Sequence, residues 1–380
     1  MKKYIILVAA AIVACAACSK VETLGEKNEI NFNVAKYVQT KASGSAYDTA
    51  VPFGTYAWFT AASGSTNAEF MVNEKVAYNG SVWTTADHTF YWPKTGYVEF
   101  ISYSPFAGTS DAAGSLPVIT ANSITYTDVT VGTDDLMYAD KVKCSENKNE
   151  ITDDDVNDSG FSGVPTLFHH ALAKLSFKVK ANFTEWKDAA TNTTTKWEVT
   201  ITSFKIDSLY TKGSCALALN ADGKTWNKPV TTVGTTDYNV WTVSDPASIT
   251  AAQELVDATV YPDGVKLTTE AKDLTPAAGF VMPQVLAAGA QKVKIVARIK
   301  TTLSNGRTIE ENFEKTVDIS GISSLKAWQM NQNIIYTINF KPTAKADPNG
   351  HDDDPEDVKI TFDPAVADWT VVNTDASIQL

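Results

Sequence analysis

Alternation of apolar and polar positions at a period of two runs through most of the chain. Glu29-Ile30-Asn31-Phe32-Asn33-Val34 puts three apolar side chains on one face of an extended strand, as a half-buried strand requires. Val98 to Tyr103, Leu175 to Val179, Trp197 to Ile201 and Ile334 to Phe340 repeat the pattern. Between Lys292 and Ile319 it predicts a hairpin. Val293, Ile295, Ala297 and Ile299 share one face, Asn305-Gly306 supplies a type I′ turn, and Ile309, Phe313 and Val317 lie on the return. Helical periodicity is scarce, and Ala251 to Val256 has room for a turn or two at most. The chain reads as all-β.

Two acidic, polar stretches interrupt the pattern. Glu146 to Gly163 reads as a long loop near a domain boundary, and His351 to Asp357 as a flexible connector. Beyond the connector, Val358-Lys359-Ile360-Thr361-Phe362 and Trp369 to Val372 are again strand-like, an arm that can pair in its own fold or with a neighbour. A length of 380 residues allows two domains or one large one.

The balance of charge narrows the partners. A net charge of −12 gives a nucleic-acid backbone no reason to attract this surface. Four cysteines in this length exclude a disulfide scaffold; Cys144 and Cys215 fit either buried thiols or one bridge. Arginine occurs only at Arg298 and Arg307.

The N-terminus reads as an address. Lys2 and Lys3 precede an apolar run from Tyr4 to Ala14, too short to span a bilayer permanently and typical of a secretory signal. Cys15-Ala16-Ala17-Cys18 follows, and small residues before a cysteine resemble a bacterial lipobox. Ala16-Ala17 before Cys18 gives the usual signal length, so Cys18 is the expected lipidation site; Cys15 is the alternative register. Each buried methylene of an acyl chain adds about 0.8 kcal/mol of membrane affinity, so the expected product is exported and tethered.

Catalytic constellations are missing. The chain has no G-x-S-x-G elbow, no H-E-x-x-H and no phosphate-cradling glycine loop, and no cofactor is expected. Adjacent His169 and His170 point to opposite faces of a strand, which favours structural roles over a shared metal. Asp153, Asp155 and Asn157 imitate the start of a calcium loop, but Asp158 replaces its glycine and Val164 its closing glutamate. The aromatic clusters Trp83, Tyr91, Trp92 and Tyr56, Trp58, Phe59 offer an alternative, a glycan-binding surface lipoprotein, provided the rings are exposed.

Several segments, in order, resemble the Bacteroidetes fimbrillin (Mfa-like) family. They are Val51-Pro52-Phe53-Gly54-Thr55-Tyr56-Ala57-Trp58, Met71-Val72-Asn73, Trp83, Tyr91-Trp92-Pro93 and Phe100-Ile101-Ser102-Tyr103-Ser104-Pro105. Leu167-Phe168-His169-His170-Ala171 resembles the strand opening the family's second half, and Trp328-Gln329-Met330-Asn331-Gln332-Asn333 the approach to its closing strand.

The resemblance implies two transthyretin-like, Greek-key β-sandwich domains in tandem and a structural subunit of surface fimbriae supporting adhesion, with other fimbrial subunits as partners and a host surface or glycan as target. The corresponding division is a signal to residue 18, a propeptide strand at 19–41, sandwiches at 42–164 and 165–342, and a linker with a donor strand at 343–380. In that family a protease removes the first strand at the outer membrane, and another subunit's terminal strand replaces it. Here the cut maps between Lys41 and Ala42, where the family shows arginine. Ile30, Phe32 and Val34 would leave, and Val358, Ile360, Phe362 and Trp369 would donate. A strictly arginine-specific protease would not cut after Lys41, so polymerising stalk and uncut anchor both stay open.

Overall fold

The computed structural model describes residues 29–35, 47–61, 68–108, 116–145, 148–150, 163–181, 184–187, 190, 192–243, 253–274, 279–322, 325–344 and 355–366. Cys15, Cys18, Lys41, Ala42, Trp369, the calcium-like run 153–158 and the start of the acidic connector lie outside these residues. The all-β expectation holds: among the described residues, apart from one helical turn, Ile319–Ile322, the regular elements are strands. No helix among the described residues is long and apolar enough to cross a membrane.

The first half contributes β1 (Asn31–Ala35), β2 (Phe53–Thr60), β3 (Ala68–Tyr78), β4 (Trp83–Thr85), β5 (Tyr97–Ser104), β6 (Ser123–Thr130), β7 (Met137–Ala139), β8 (Val142–Ser145) and β9 (Val164–His170). The second half contributes β10 (Ala173–Ala181), β11 (Thr194–Asp207), β12 (Lys212–Leu219), β13 (Lys292–Thr302), β14 (Thr308–Asp318), β15 (Asn333–Ala344) and β16 (Pro355–Val366).

In the first half, hydrogen bonding runs β5-β2-β3-β4-β1-β9-β7 and returns from β7 to β5, so the sheet closes into a ring. This differs from two separate sheets. The short β7 pairs with β9 on one side and with Tyr103 and Ser104 of β5 on the other. Inside the ring lie Phe32, Phe53, Met71, Val76, Val98 and Phe100, each at most 2% exposed. Tyr103 fastens β5 to its neighbours: its hydroxyl donates to Asn73 Oδ1 (2.6 Å) and accepts the Ala107 N–H (3.2 Å). Gly54 on β2 makes room for that ring, since a Cβ there would stand 2.2 Å from Tyr103 Cε1.

The second half is a sandwich. One sheet orders β10-β15-β16, with β10 and β15 parallel; the other orders β11-β13-β14, all antiparallel. Strict alternation on β10 and β13 turns Phe177, Val179, Val293 and Ile295 inward, where Phe204, Trp328 and Tyr336 complete the core. The β13–β14 hairpin forms as predicted, but its turn differs. The Leu303 N–H donates to Arg307 O and the Gly306 N–H to Leu303 O, each at 2.9 Å, and within the turn only Gly306 takes a positive φ, 80°. That is a three-residue loop ending in a left-handed glycine, the arrangement of a type I turn with a G1 bulge. Asn305 instead caps the loop by accepting the Arg307 N–H.

The two halves are joined by a shared sheet. β6 pairs antiparallel with β12, Ile124 opposite Leu217 and Tyr126 opposite Cys215. A core built from both halves lies behind it, including Trp58, Ile101, Tyr126, Cys215, Trp241 and Met330. The expected boundary at 164/165 is crossed by a strand: β9 belongs to the first ring, and the chain passes into β10 through buried Ala171 and Leu172.

Candidate functional site: the slot holding the first strand

β1 is an interior strand of the ring although it stands near the N-terminus. It runs antiparallel to β4, with Asn31 opposite Thr84 and Phe32 opposite Trp83. On its other flank it runs parallel to β9, from Phe32 opposite Val164 to Ala35 opposite Leu167. Parallel neighbours demand a long crossover, which explains why its two partners come from distant parts of the chain. The strand is also held at its start. The Ile30 N–H donates to Phe90 O (2.9 Å), and Thr84 Oγ1 donates to Glu29 Oε1 (2.7 Å).

Two side chains of the predicted removable strand fill the slot. Ile30 is 0% exposed and Phe32 2%. Phe32 meets Phe53 and Phe100 edge-to-face at 5.7 Å each, the geometry that aligns a ring's positive edge with its neighbour's negative face. Val34 lies opposite Thr166 in register. Burial of Ile30 and Phe32 is worth about 1.5–3 kcal/mol apiece, a large share of a domain's usual margin of about 5–15 kcal/mol. An emptied slot is therefore unstable until another apolar strand enters it.

Two residues that the sequence reading passed over shape the slot. Gly163 enters β9 at φ +124°, and a Cβ there would stand 2.7 Å from Asn31 O, so glycine lets β9 approach β1. Tyr47, the first described residue after β1, spans both walls: its ring stacks on Phe168 of β9 at 4.9 Å and meets Trp83 of β4 edge-on at 5.3 Å. Its hydroxyl shares a 2.6 Å hydrogen bond with Ser104 Oγ, and burial raises its pKa above the ordinary phenol value. An aromatic placed six residues beyond Lys41 was the available signal for Tyr47.

β9 is secured on its far side. His169 Nε2 stands 2.9 Å from Asp140 Oδ2, and His170 Nδ1 2.7 Å from Asp135 Oδ2, so the adjacent histidines engage separate carboxylates at the two ends of β7. These are structural ties. Among the described residues no group of three or more His, Cys, Asp or Glu is arranged to hold a metal.

The expected donor segment lies in β16, an edge strand antiparallel to β15, with Ile360 opposite Phe340 and Phe362 opposite Ile338. Val358 falls in the same strand at a register irregularity between Lys341 and Thr343. Slot and donor segment are therefore in different sheets of the same chain.

The glycan alternative loses its tryptophans, while Tyr91 stays 42% exposed. Trp83 and Trp92 are each only 8% exposed, Trp83 packed against Tyr47, Phe53 and Tyr78, and Trp92 against Phe100. Trp58 is 7% exposed as well. These three tryptophans serve the core, as the hydrophobic return on burying them favours. Cys144 and Cys215 lie buried in separate cores with no bridge between them, and burial pushes Cys215 up to about 12.

Residues 40–369 match the fimbrillin-like family. The chain belongs to that family. It is accordingly a structural protein and not an enzyme. The match starts at Thr40, beside the expected cleavage position. Among solved structures, the chain is similar to a fimbrial protein from Bacteroides vulgatus, with 18% identity, a TM-score of 0.50, and 90% of this chain and 99% of the other covered. A candidate cell adhesion protein from Bacteroides uniformis shares 19% identity at a TM-score of 0.44, covering 90% of this chain and 99% of its own. The first likeness supports the fold. No curated protein matches the chain.

Proposed function

We propose that this fimbrillin-like chain is a structural subunit of surface fimbriae, exported as a lipoprotein and assembled by strand replacement. Its signal ends at Cys18, or at Cys15 in the alternative register, and the lipid tethers the precursor to the outer membrane. Cleavage between Lys41 and Ala42 releases the segment carrying Ile30, Phe32 and Val34. The terminal arm of another subunit, carrying Val358, Ile360, Phe362 and Trp369, then fills the vacated slot. In this reading the first half is a ring with a vacant slot and the second half a sandwich, with β9 one of the ring's strands.

The observation that carries the reading is the position of β1. It is an interior strand with two buried anchors and partners on both flanks, yet it is followed, before β2, by the segment that contains Lys41. Excision leaves two facing rows of unpaired backbone groups and an apolar floor, a template for an incoming strand. Subunits linked in this way form a heterologous, non-closing interface, which builds a fibre rather than a closed oligomer.

Electron microscopy of the cell surface, with and without this gene product, tests the reading. The account predicts filaments that are lost or shortened on deletion and that bind antibody against this chain. An unchanged filament population with no antibody decoration would contradict it.

A further inference from the structure

β16 shares part of its sequence pattern with β1. Ile30-Asn31-Phe32-Asn33-Val34-Ala35 aligns with Ile360-Thr361-Phe362-Asp363-Pro364-Ala365, keeping the isoleucine, the phenylalanine and the alanine at identical spacing. Ile338-Asn339-Phe340 in β15 shares the start of this pattern, but that strand is fixed between β10 and β16. Only the β16 copy lies at a sheet edge near the chain's end.

We infer that the slot of one subunit receives β16 of a second copy in one defined register, with Ile360 in the site of Ile30 and Phe362 in the site of Phe32. The inference rests on the strand-replacement reading above and fixes which residues meet. The floor of the slot is specific to this spacing: a wholly enclosed aliphatic site is followed two positions later by a ring site framed edge-on by Phe53 and Phe100. A one-residue slip would turn Lys359, Thr361 and Asp363 towards that floor, so a strand carrying this pattern has one favourable register.

The flanking positions fit too. Thr361 takes the place of Asn31 opposite Thr84, a polar pair exchanged for another. Pro364 takes the place of Val34, where β1 is paired with β9 but no longer with β4. A proline is tolerated at a strand position with one bare flank. At home β16 has β15 as its partner on one flank, whereas in the slot the segment gains β4 and β9 on both.

Cysteine trapping in the native cells tests the register. One full-length copy carries Thr84→Cys and a co-expressed full-length copy carries Thr361→Cys, so that only a contact between copies can form the disulfide. Opposed Cβ atoms of paired strands stand about 4.5–5.5 Å apart, close enough to be captured under mild oxidation. The expected result is a dimer on a non-reducing gel of sheared surface material, and a band at least tenfold weaker when Thr361→Cys is replaced by Lys359→Cys or Asp363→Cys. Phe362→Asp in an otherwise unmodified chain should abolish filaments. Filaments that trap Lys359→Cys or Asp363→Cys instead would overturn the register and leave strand replacement standing. Filaments with no trap anywhere on β16 would overturn its role as occupant. Subunits that stay monomeric at the surface would overturn strand replacement itself.

Discussion

Replacing Phe32 by alanine perturbs the first strand at its most enclosed point. The ring is 2% exposed and contacts Phe53 and Phe100 edge-on at 5.7 Å. Removing a buried phenylalanine down to its β-carbon costs about 3–5 kcal/mol, combining lost transfer free energy with the cavity left behind. Each edge-to-face contact supplies about 0.5–1.5 kcal/mol of that total. Neighbouring Trp83 and Phe53 belong to strands held from both sides, so the walls cannot collapse into the gap. Urea unfolding of the full chain, followed by tryptophan fluorescence, should therefore move to a clearly lower midpoint. Val72→Ala, at a position 55% exposed, serves as control and should stay within about 0.5 kcal/mol of the unmodified chain. If Phe32→Ala and Val72→Ala behave alike, β1 is not an anchored member of the ring, and the argument built on its excision fails.

Further outcomes follow from the same structure. Lys141 Nζ stands 3.1 Å from Glu99 Oε1, with side-chain exposures of 7% and 17%, and also donates to Ala121 O; Lys141→Ala should lower the melting temperature, and pairing it with Glu99→Gln should recover part of the loss in calorimetry. Gly54→Ala should lower the melting temperature, because its Cβ would stand 2.2 Å from the Tyr103 ring and disturb the Asn73 and Ala107 hydrogen bonds. Cys144 and Cys215 should resist a thiol reagent in the native chain and react once it is unfolded. The raised Cys215 pKa adds a pH dependence: the unfolded thiol loses its proton near 9.0 and the folded one only near about 12, so stability present below pH 9 should fall through that window by about 1.4 kcal/mol per pH unit for this group. A Cys215→Ala chain should show a shallower alkaline decline in its unfolding midpoint.

Local pattern made much of this molecule legible. The β13–β14 hairpin, β5, β10, β11 and β15 announce themselves by alternation, because a strand with one face in a core must repeat every two residues. What alternation does not carry is partner choice. Ile30, Phe32 and Val34 identify a strand, but nothing near them indicates that it runs parallel to β9 and antiparallel to β4. Ring closure depends on Met137–Ala139, too short for a periodic signal. The β6–β12 pairing joins segments some ninety residues apart, whose sequences satisfy any apolar neighbour. Trp83 and Trp92 show a further limit, since a ring that would stack on a sugar is chemically the same ring that fills a core. At Asn305-Gly306 the residue pair indicated a tight hairpin, while the Leu303–Arg307 pairing lengthened the loop and left only glycine in the left-handed region.

Mass spectrometry of the chain taken from the cell surface addresses the central claim most directly, because it reads whether the first strand is still attached. The account predicts a mature N-terminus at Ala42, with peptides spanning Glu29 to Ala35 absent from assembled material. Assembled fibres in which every subunit retains those peptides in covalent continuity with Ala42 would contradict it.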